Sequence, residues 1–244
     1  MTGTLLIDGI EHDAESLPAL AGMTIERDDP FKCKARKRIV KKLLLHESVS
    51  PSDAATERVL RKRGLGVHVV IPPDGRLVQH HDLYAEYPNH ASGHNVDSVG
   101  VEIISPYYGD RWKASQAWPP PFKAPWAHKK SYIPPTPAQM MTLCALVRAV
   151  CNVSLGWLEI ATDMPGIDGD NISMGPLGLS KAAIRSTPGI WAHGWTEHAD
   201  GFFPALVLAL AFHRGMSDAD AYVEAIRLAT GARGTVRFNP KTLV

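Results

Sequence analysis

Short apolar runs separated by helical and turn patterns constrain the fold of this chain more than any other feature. Residues 38–45, 67–71 and 98–104 each have the length and the Leu-, Val- or Ile-rich content of a buried strand. Helical segments lie between these runs and after them, so strands and helices interleave along the chain. This order predicts an α/β fold in which a mixed central β-sheet is flanked by helices.

Capping and turn residues predict where the intervening elements begin and end. A Ser or Thr before a helical pattern satisfies free backbone N–H groups, and glycine or proline ends an element. The predicted elements are a helix from its N-cap Ser52 to about Lys62, a tight hairpin turn at 72–75, a strand at 76–79, a helix that begins after Thr136, an apolar helix at 205–213 and a last helix from Ser217 to about Thr230.

The composition is that of a globular protein with a substantial core. The chain has 244 residues, of which 45% are hydrophobic and 21% are charged. The formal net charge of +1 gives no basis for a nucleic-acid or membrane-surface partner. The longest apolar run, 205–212, is too short to span a bilayer, and three cysteines without a CxxC pair do not suggest a disulfide framework. We expect a monomer.

The pattern predicts one main domain at residues 37–232. Residues 1–36 form an N-terminal extension without an assigned role, and residues 233–244 form a C-terminal tail. The Pro- and Trp-rich segment 105–135 is too long for an ordinary connection in a compact domain. It is either a disordered insert or a functional loop beside a cleft, and its aromatic residues favour the loop because they can stack on sugar rings.

The N-terminus lacks the features of a secretory signal. It has no basic region and only a short apolar run at residues 5–7, so we expect synthesis in the cytoplasm without a signal peptide. A function outside the cell would require release or export by another system.

Residues 189–204 contain the main candidate for metal chemistry. Neutral imidazole and carboxylate suit Zn²⁺, and a catalytic zinc site needs three protein ligands and one open position. His193 and Asp200 can supply two ligands, and His46, at the end of the run 38–45, is the natural third, because an unpaired imidazole is costly to bury. Taken alone, the loop fits an ordinary surface segment with solvated histidines better than a metal site.

Other polar residues in apolar surroundings admit two interpretations each. Glu102 is either a base with a raised pKa or a strand-edge carboxylate paired with a lysine. His68 is predicted to be a structural strand residue facing the site. Four histidines at positions 80, 81, 90 and 94 admit a second metal site, but we favour His90 at a substrate cleft and the others at the surface.

The order of the motifs resembles the zinc-dependent N-acetylmuramoyl-L-alanine amidases of the phage-lysozyme type, a family that includes the peptidoglycan recognition proteins. The resemblance covers residues 38–212. The matching pieces are Leu45-His46, Val67-His68, Asp74-Gly75, His90-Ala91, Ser98-Val99-Gly100-Val101-Glu102, Thr136-Pro137-Ala138-Gln139, and His193 followed by His198-Ala199-Asp200-Gly201 and Pro204.

The resemblance implies a single amidase-like domain that hydrolyses the amide bond between N-acetylmuramic acid and L-alanine in peptidoglycan. It implies zinc ligands at His46, His193 and Asp200, and Glu102 as the general base. His198 stands where the family often has a catalytic lysine, and would hold the oxyanion, support Asp200 or be merely exposed. Substrate-binding residues are predicted at His68, His90, Asn95 and Trp195.

The chain departs from the family pattern at two positions, and more than one function remains open. Val69 stands where many members have a tyrosine, and His198 replaces the lysine. The leading hypothesis is a bacteriolytic enzyme that degrades the cell wall, such as a phage endolysin. The alternatives are a recognition module that binds muropeptide without cleaving it, and a zinc amidase acting on another acylated peptide. Non-enzymatic relatives typically lose a zinc ligand, and the presence of all three favours the enzyme.

Overall fold

The computed structural model describes residues 3–113, 117–151, 158–196 and 198–237. Residues 1–2 of the predicted N-terminal extension, 114–116 of the insert, 152–157 and 197 of the main domain, and 238–244 of the tail lie outside these ranges. Within the ranges, no helix combines the length and the apolar character that crossing a bilayer requires.

The elements follow one another in the interleaved order that the sequence predicts. The α-helices are α1 (Asp53–Arg63), α2 (Pro137–Val150), α3 (Lys181–Ser186), α4 (Phe202–His213) and α5 (Asp218–Ala229). The strands are β1 (Leu5–Ile7), β2 (Ile10–His12), β3 (Ile25–Arg27), β4 (Cys33–Ala35), β5 (Lys42–Glu47), β6 (Val69–Ile71), β7 (Leu77–Gln79), β8 (Glu86–Pro88), β9 (Ser98–Ile103), β10 (Phe122–Lys123), β11 (Ser131–Tyr132), β12 (Ile167–Asp168), β13 (Asn171–Ser173), β14 (Gly189–Ala192) and β15 (Thr235–Arg237).

The central sheet of the described chain has the strand order β14-β5-β9-β6-β7-β3. The first four of these strands run parallel, and β7 pairs antiparallel with β6 through the predicted hairpin turn. At the far edge, β3 lies parallel to β7. The prediction of a mixed central sheet flanked by helices is therefore confirmed.

Helix starts follow the predicted capping residues, with one difference. Ser52, Thr136 and Ser217 each accept a hydrogen bond at the N-terminus of a helix, as expected. Helix α4, however, begins at Phe202 and not at 205 as predicted. Proline at 204 is compatible with this start, because the N–H groups of the first turn have no partner within the helix.

The N-terminal segment contributes to both the sheet and the core. Its strand β3 is the edge strand of the central sheet, and Leu5 and Ile7 of β1 are fully buried. The amide of Gln79, at the end of β7, bonds both the N–H and the carbonyl of Leu6. Residues 5–27 are thus packed into the fold.

Apolar side chains fill both faces of the sheet. Val69 and Ile71 point into the larger cluster, to which α2, α4 and α5 contribute their buried residues. Val70 points to the other face, where a smaller cluster packs beneath Leu60 of α1. The alternation along β6 follows from the two-residue period of a strand.

The Thr-Pro-Ala-Gln sequence at 136–139 joins α2 to the sheet. Thr136 and Gln139 form a reciprocal capping box at the start of the helix. The buried Gln139 amide also donates to the carbonyls of Ile71 and Ile104, at 2.7 and 2.8 Å. One side chain therefore caps the helix and ties it to the ends of β6 and β9.

Replacing Gln139 with leucine is expected to lower the free energy of unfolding by about 1–3 kcal/mol, because polar backbone groups lose buried hydrogen bonds. Urea denaturation measures the change. Met141 on the same helix is 53% exposed, so Met141→Ala is the control and should change stability by less than about 0.5 kcal/mol. Equal effects of the two substitutions would contradict this account of Gln139.

Candidate functional site

The predicted site residues meet at the carboxyl ends of three parallel strands. His46 near the end of β5 is paired in register with Glu102 of β9, and Ala192 at the end of β14 is paired with Leu45. His193 follows β14 directly. Residues paired across neighbouring strands share a face of the sheet, so His46 and Glu102 lie side by side.

The loop that carries Asp200 is fastened to the end of β5. Gly194 N–H donates to the Asp200 carbonyl (2.7 Å), and the N–H of Gly201 donates to the Glu47 carboxylate (2.9 Å). Gly201 has a φ of 81°, and a Cβ there would lie 2.4 Å from the Leu45 carbonyl oxygen. Glycine is therefore required where the loop meets the strand.

Three potential ligand atoms converge at this point. Nδ1 of His46 lies 3.2 Å from Nδ1 of His193, which is 3.1 Å from Oδ1 of Asp200. Nδ1 of His46 is 3.8 Å from Oδ2 of Asp200. Ligands about 2.0–2.1 Å from a tetrahedral zinc ion lie about 3.4 Å apart, so these separations match a zinc-sized cavity.

Besides the distances, the state of the Asp200 carboxylate also fits a divalent cation between the three side chains. Oδ1 of Asp200 is buried and accepts no hydrogen bond of suitable geometry among the described residues, although Nδ1 of His193 lies 3.1 Å away. Burial works to raise the pKa of Asp200, but the hydrogen bond and charge of His193 and the charge of His46 outweigh it, and the pKa is lowered. A buried carboxylate oxygen without a partner is costly, and a cation between the three residues would satisfy it.

A chain of hydrogen bonds determines which nitrogen of His46 is free to bind. Ser98 donates its hydroxyl proton to the His94 carbonyl (2.6 Å), so its oxygen accepts from Nε2–H of His90 (3.0 Å). Nδ1 of His90 then accepts from Nε2–H of His46 (3.1 Å). Loss of hydration holds the pKa of both rings well below the usual range, so both are neutral. Nδ1 of His46 therefore presents a lone pair to the site.

The alternation Ser98-x-Gly100-x-Glu102 has a physical reason. These three residues share one face of β9, and the His90 ring lies on that face. A Cβ on Gly100 would approach Nδ1 of His90 to 2.7 Å. Ser98 bonds the His90 ring and Gly100 leaves space for it. Glu102, further along the same face, places its carboxyl near the end of the strand.

Two buried carboxyl groups lie close to the ligand set. Burial raises the pKa of Glu102 well above its usual range, and the charges of Asp200 and Glu47 raise it further. Burial also raises the pKa of Glu47 to about 8, against the hydrogen bonds from Tyr132 and Gly201. The raised pKa makes Glu102 a stronger proton acceptor than an ordinary carboxylate, whereas Glu47 is engaged in holding the loop.

The ligand set lies in a cleft of about 810 Å³. Helices α1 and α3 and the loop at residues 90–94 form walls of this cleft. The three potential ligand residues, His46, His193 and Asp200, line it together with Glu102, His90 and His198.

The structure does not bring all predicted substrate-binding residues to the cleft. The exposed His198 stacks on His193 with ring centroids 4.4 Å apart, and His90 lines the wall. His68 is buried with Nδ1 accepting from Gly100 N–H, Asn95 holds the backbone of residues 90 and 91, and Trp195 is fully buried with its N–H on Ser173. For these three, substrate contact stays a prediction that their placement does not support.

Sequence reasoning missed three residues of the site. The prediction of His94 at the surface is wrong, because His94 lines the cleft and is 1% exposed, and neither ring nitrogen has a hydrogen-bond partner among the described residues. Tyr107, with a φ of 60°, donates its hydroxyl to the Ala199 carbonyl next to Asp200. Glu47 anchors the Asp200 loop. Glu47 is an acidic residue directly after His46 in an apolar strand, and this position indicated a role in the site. No local sequence pattern distinguished His94 or Tyr107.

The aromatic insert contributes tyrosines to the cleft and packs its tryptophans against the protein. Tyr107, Tyr108 and His128 line the cleft. The indole N–H groups of Trp112, Trp118 and Trp126 each donate to a backbone carbonyl, and Trp118 is buried.

Comparison with known proteins agrees with the geometry. A family model described as N-acetylmuramoyl-L-alanine amidase (Amidase_2) matches residues 36–161, just over half of the chain. Similar solved structures include the amidase LysC from Clostridium intestinale URNW (15% identity, 78% of this chain and 97% of that chain, TM-score 0.43), Staphylococcus aureus AmiA (14%, 85% and 87%, 0.45) and Drosophila PGRP-LB (11%, 78% and 94%, 0.44). These distant likenesses carry no argument about activity. No curated protein matches the chain.

Replacing Gly100 with alanine is expected to destabilise the protein by about 1–3 kcal/mol and to displace the His90 ring, because the added Cβ overpacks this contact. Gly175→Ala is the matched control, since a Cβ there meets nothing within 4 Å. Urea denaturation and histidine NMR spectra measure both effects. Unchanged His46 and His90 resonances in Gly100→Ala would contradict the packing described here.

Proposed function

This chain belongs to the N-acetylmuramoyl-L-alanine amidase family, and from that premise we propose that it is a zinc-dependent hydrolase of the amide bond between N-acetylmuramic acid and L-alanine in peptidoglycan. The observation that carries the proposal is the convergence of His46, His193 and Asp200 beside the buried carboxyl of Glu102. An enzyme needs this combination, whereas a module that only binds does not need a proton acceptor there.

The three converging residues would hold the metal ion. Zinc bound there would acidify a water molecule and polarise the scissile carbonyl. The protein contributes a neutral His46 whose lone pair is directed by His90 and Ser98, and a carboxylate with an unpaired oxygen.

Glu102 is the proposed proton carrier. Its raised pKa lets it accept a proton from the attacking water and deliver that proton to the leaving nitrogen of L-alanine. Glu102 lies in β9 and is paired in register with His46, so the strand itself fixes the position of the carboxyl at this edge of the sheet.

His198 is the proposed partner of the developing oxyanion. The ring is exposed at the cleft and stacked on His193, which orients it beside the centre. One well-placed N–H donor contributes on the order of 3 kcal/mol to the stabilisation of an oxyanion.

The rim of the cleft suits the peptide portion of the substrate. Four basic side chains line the same cleft as the carboxyl groups of Asp200 and Glu102. They are Arg58 and Arg63 of α1, and Lys181 and Arg185 of α3. A peptide stem ends in a carboxylate, so cations at the rim would bind the stem while the centre acts on the amide bond.

The route to the cell wall is a further part of the proposal. Synthesis in the cytoplasm and release by another system, as for a phage endolysin, would bring the enzyme to its substrate. We propose that it acts as a monomer.

Glu102→Gln is expected to reduce peptide release from purified sacculi by at least about a hundredfold, because general acid–base catalysis contributes about 10²–10⁴-fold. The zinc content should not change, since Glu102 is not one of the three proposed ligands. Muropeptide analysis and metal analysis of both proteins measure these outcomes. If zinc-loaded wild type binds muropeptide but releases no peptide, the chain is a recognition module and the proposal fails.

Arg63→Ala and Lys181→Ala are each expected to raise KM about two- to fivefold with little change in kcat, in line with roughly 0.5–1 kcal/mol for an exposed ion pair. Lys62→Ala is the control, because Lys62 is the neighbour of Arg63 on α1 but does not line the cleft. Steady-state kinetics on a soluble muropeptide measure the change. An equal rise for Lys62→Ala would show that the effect is a general one of charge.

A further inference from the structure

We propose that the protein has a second divalent-metal site of the zinc class, formed by His80, Glu57 and Asp28 outside the cleft. One potential ligand atom from each residue lies within 4.8 Å of the other two. The residues come from separate elements, since Asp28 follows β3, Glu57 lies on α1 and His80 follows β7. None of the three lines the cleft of the candidate active site.

The orientation of His80 carries the proposal. Its side chain is 0% exposed, and its Nδ1 lies 2.9 Å from the carbonyl oxygen of Asp29. A carbonyl oxygen only accepts, so Nδ1 carries the hydrogen, and Nε2 is the nitrogen that can present a lone pair to a metal ion. Nε2 is buried and has no hydrogen-bond partner within the described ranges. A buried polar atom without a partner is costly, so an occupant of this position would be stabilising.

The lone pair of His80 faces negative charge. Its Nε2 lies 3.8 Å from Oε1 of Glu57, while Oε2 of Glu57 lies 3.7 Å from the guanidinium of Arg61. Arg61 offsets part of the charge of Glu57, and a cation between the two carboxylates and the imidazole lone pair would remove the remaining repulsion.

The chemistry of the donors identifies the class of ion. One imidazole nitrogen and two carboxylate oxygens form a mixed set that suits zinc and excludes soft, thiolate-preferring ions. The hydrogen bond from His80 Nδ1 to a carbonyl is the usual way in which a metal-binding histidine is oriented. Ligands of tetrahedral zinc lie about 3.4 Å apart, so the 3.8 Å between His80 and Glu57 requires only a small movement of the Glu57 side chain.

The neighbouring His81 provides a contrast within the same segment. Cys33, His81 and Glu86 also bring potential ligand atoms together. Nε2 of His81, however, accepts the N–H of Phe31 (3.1 Å), so its Nδ1 carries the hydrogen and donates to Glu86 (3.2 Å). Both nitrogens of His81 are thereby engaged, and this cluster has no imidazole lone pair to offer a metal.

A metal ion at His80 would join the N-terminal segment to the rest of the fold. Asp28 directly follows the edge strand β3 (residues 25–27), and Glu57 belongs to α1, the helix that forms one wall of the cleft. The ion would therefore fix the edge of the sheet against α1, and this gives the N-terminal extension a structural role.

Metal analysis of the full-length protein, after saturation with zinc and removal of the excess, tests the proposal. We expect two zinc ions per chain in the wild type, one in His46→Ala, one in Glu57→Gln and none in the double variant. Glu57→Gln is preferred to a His80 substitution because the Glu57 side chain is partly exposed and glutamine keeps its shape. Glu224→Gln, on an exposed face of α5, is the matched control and should retain both ions.

Titration of zinc into the His46→Ala variant isolates the second site. Zinc should raise the melting temperature of this variant, and adding Glu57→Gln should weaken the affinity by about tenfold or more, since even an outer hydrogen-bonding partner of a metal contributes about 10–100-fold. Equal zinc affinity with and without Glu57→Gln overturns the proposal and indicates adventitious surface binding. One ion in the wild type that is lost with His46→Ala also overturns it, whereas one ion lost only with Glu57→Gln overturns the cleft site instead.

Discussion

The parallel pairing of β14, β5 and β9 is the constraint on which the candidate active site depends. Strands that run parallel end at the same edge of a sheet, so side chains far apart in sequence meet there without long connections. The register between His46 and Glu102 determines that both lie on the same face. A slip of one residue in this register would move one of the two to the opposite face and separate them.

The buried polar groups around this edge form a connected network. Ser98, His90 and His46 orient one another in a single direction, because the chain of donors ends on a carbonyl that can only accept. Glu47 holds the loop that carries Asp200, while burial raises the pKa of Glu102. A buried polar atom without a hydrogen-bond partner is costly in such a network. Oδ1 of Asp200 lies where a cation would bind, and the ring nitrogens of His94 lie in the cleft where a substrate would bind.

The same physical arrangement recurs at the two proposed metal sites. In each, one nitrogen of an imidazole donates to a fixed acceptor, and the other nitrogen directs its lone pair towards carboxylate. At the cleft the acceptor of His46 is His90, and at the sheet edge the acceptor of His80 is the Asp29 carbonyl. The donated hydrogen bond fixes the tautomer, and the fixed tautomer distinguishes His46 and His80 from His68 and His81, whose nitrogens are engaged within the protein.

The sequence by itself determined the α/β class and most helix starts, and it predicted the ligand residues, because apolar periodicity, capping residues and the order of short motifs are local properties of the chain. It also indicated the zinc-type donor set from His193 and Asp200. Only the tertiary structure decided that Trp195 is part of the core, that His94 lines the cleft and that His80 differs from His81. Hydrogen-bond partners contributed by distant residues determine the burial and the tautomer of each side chain, and no local pattern contains that information.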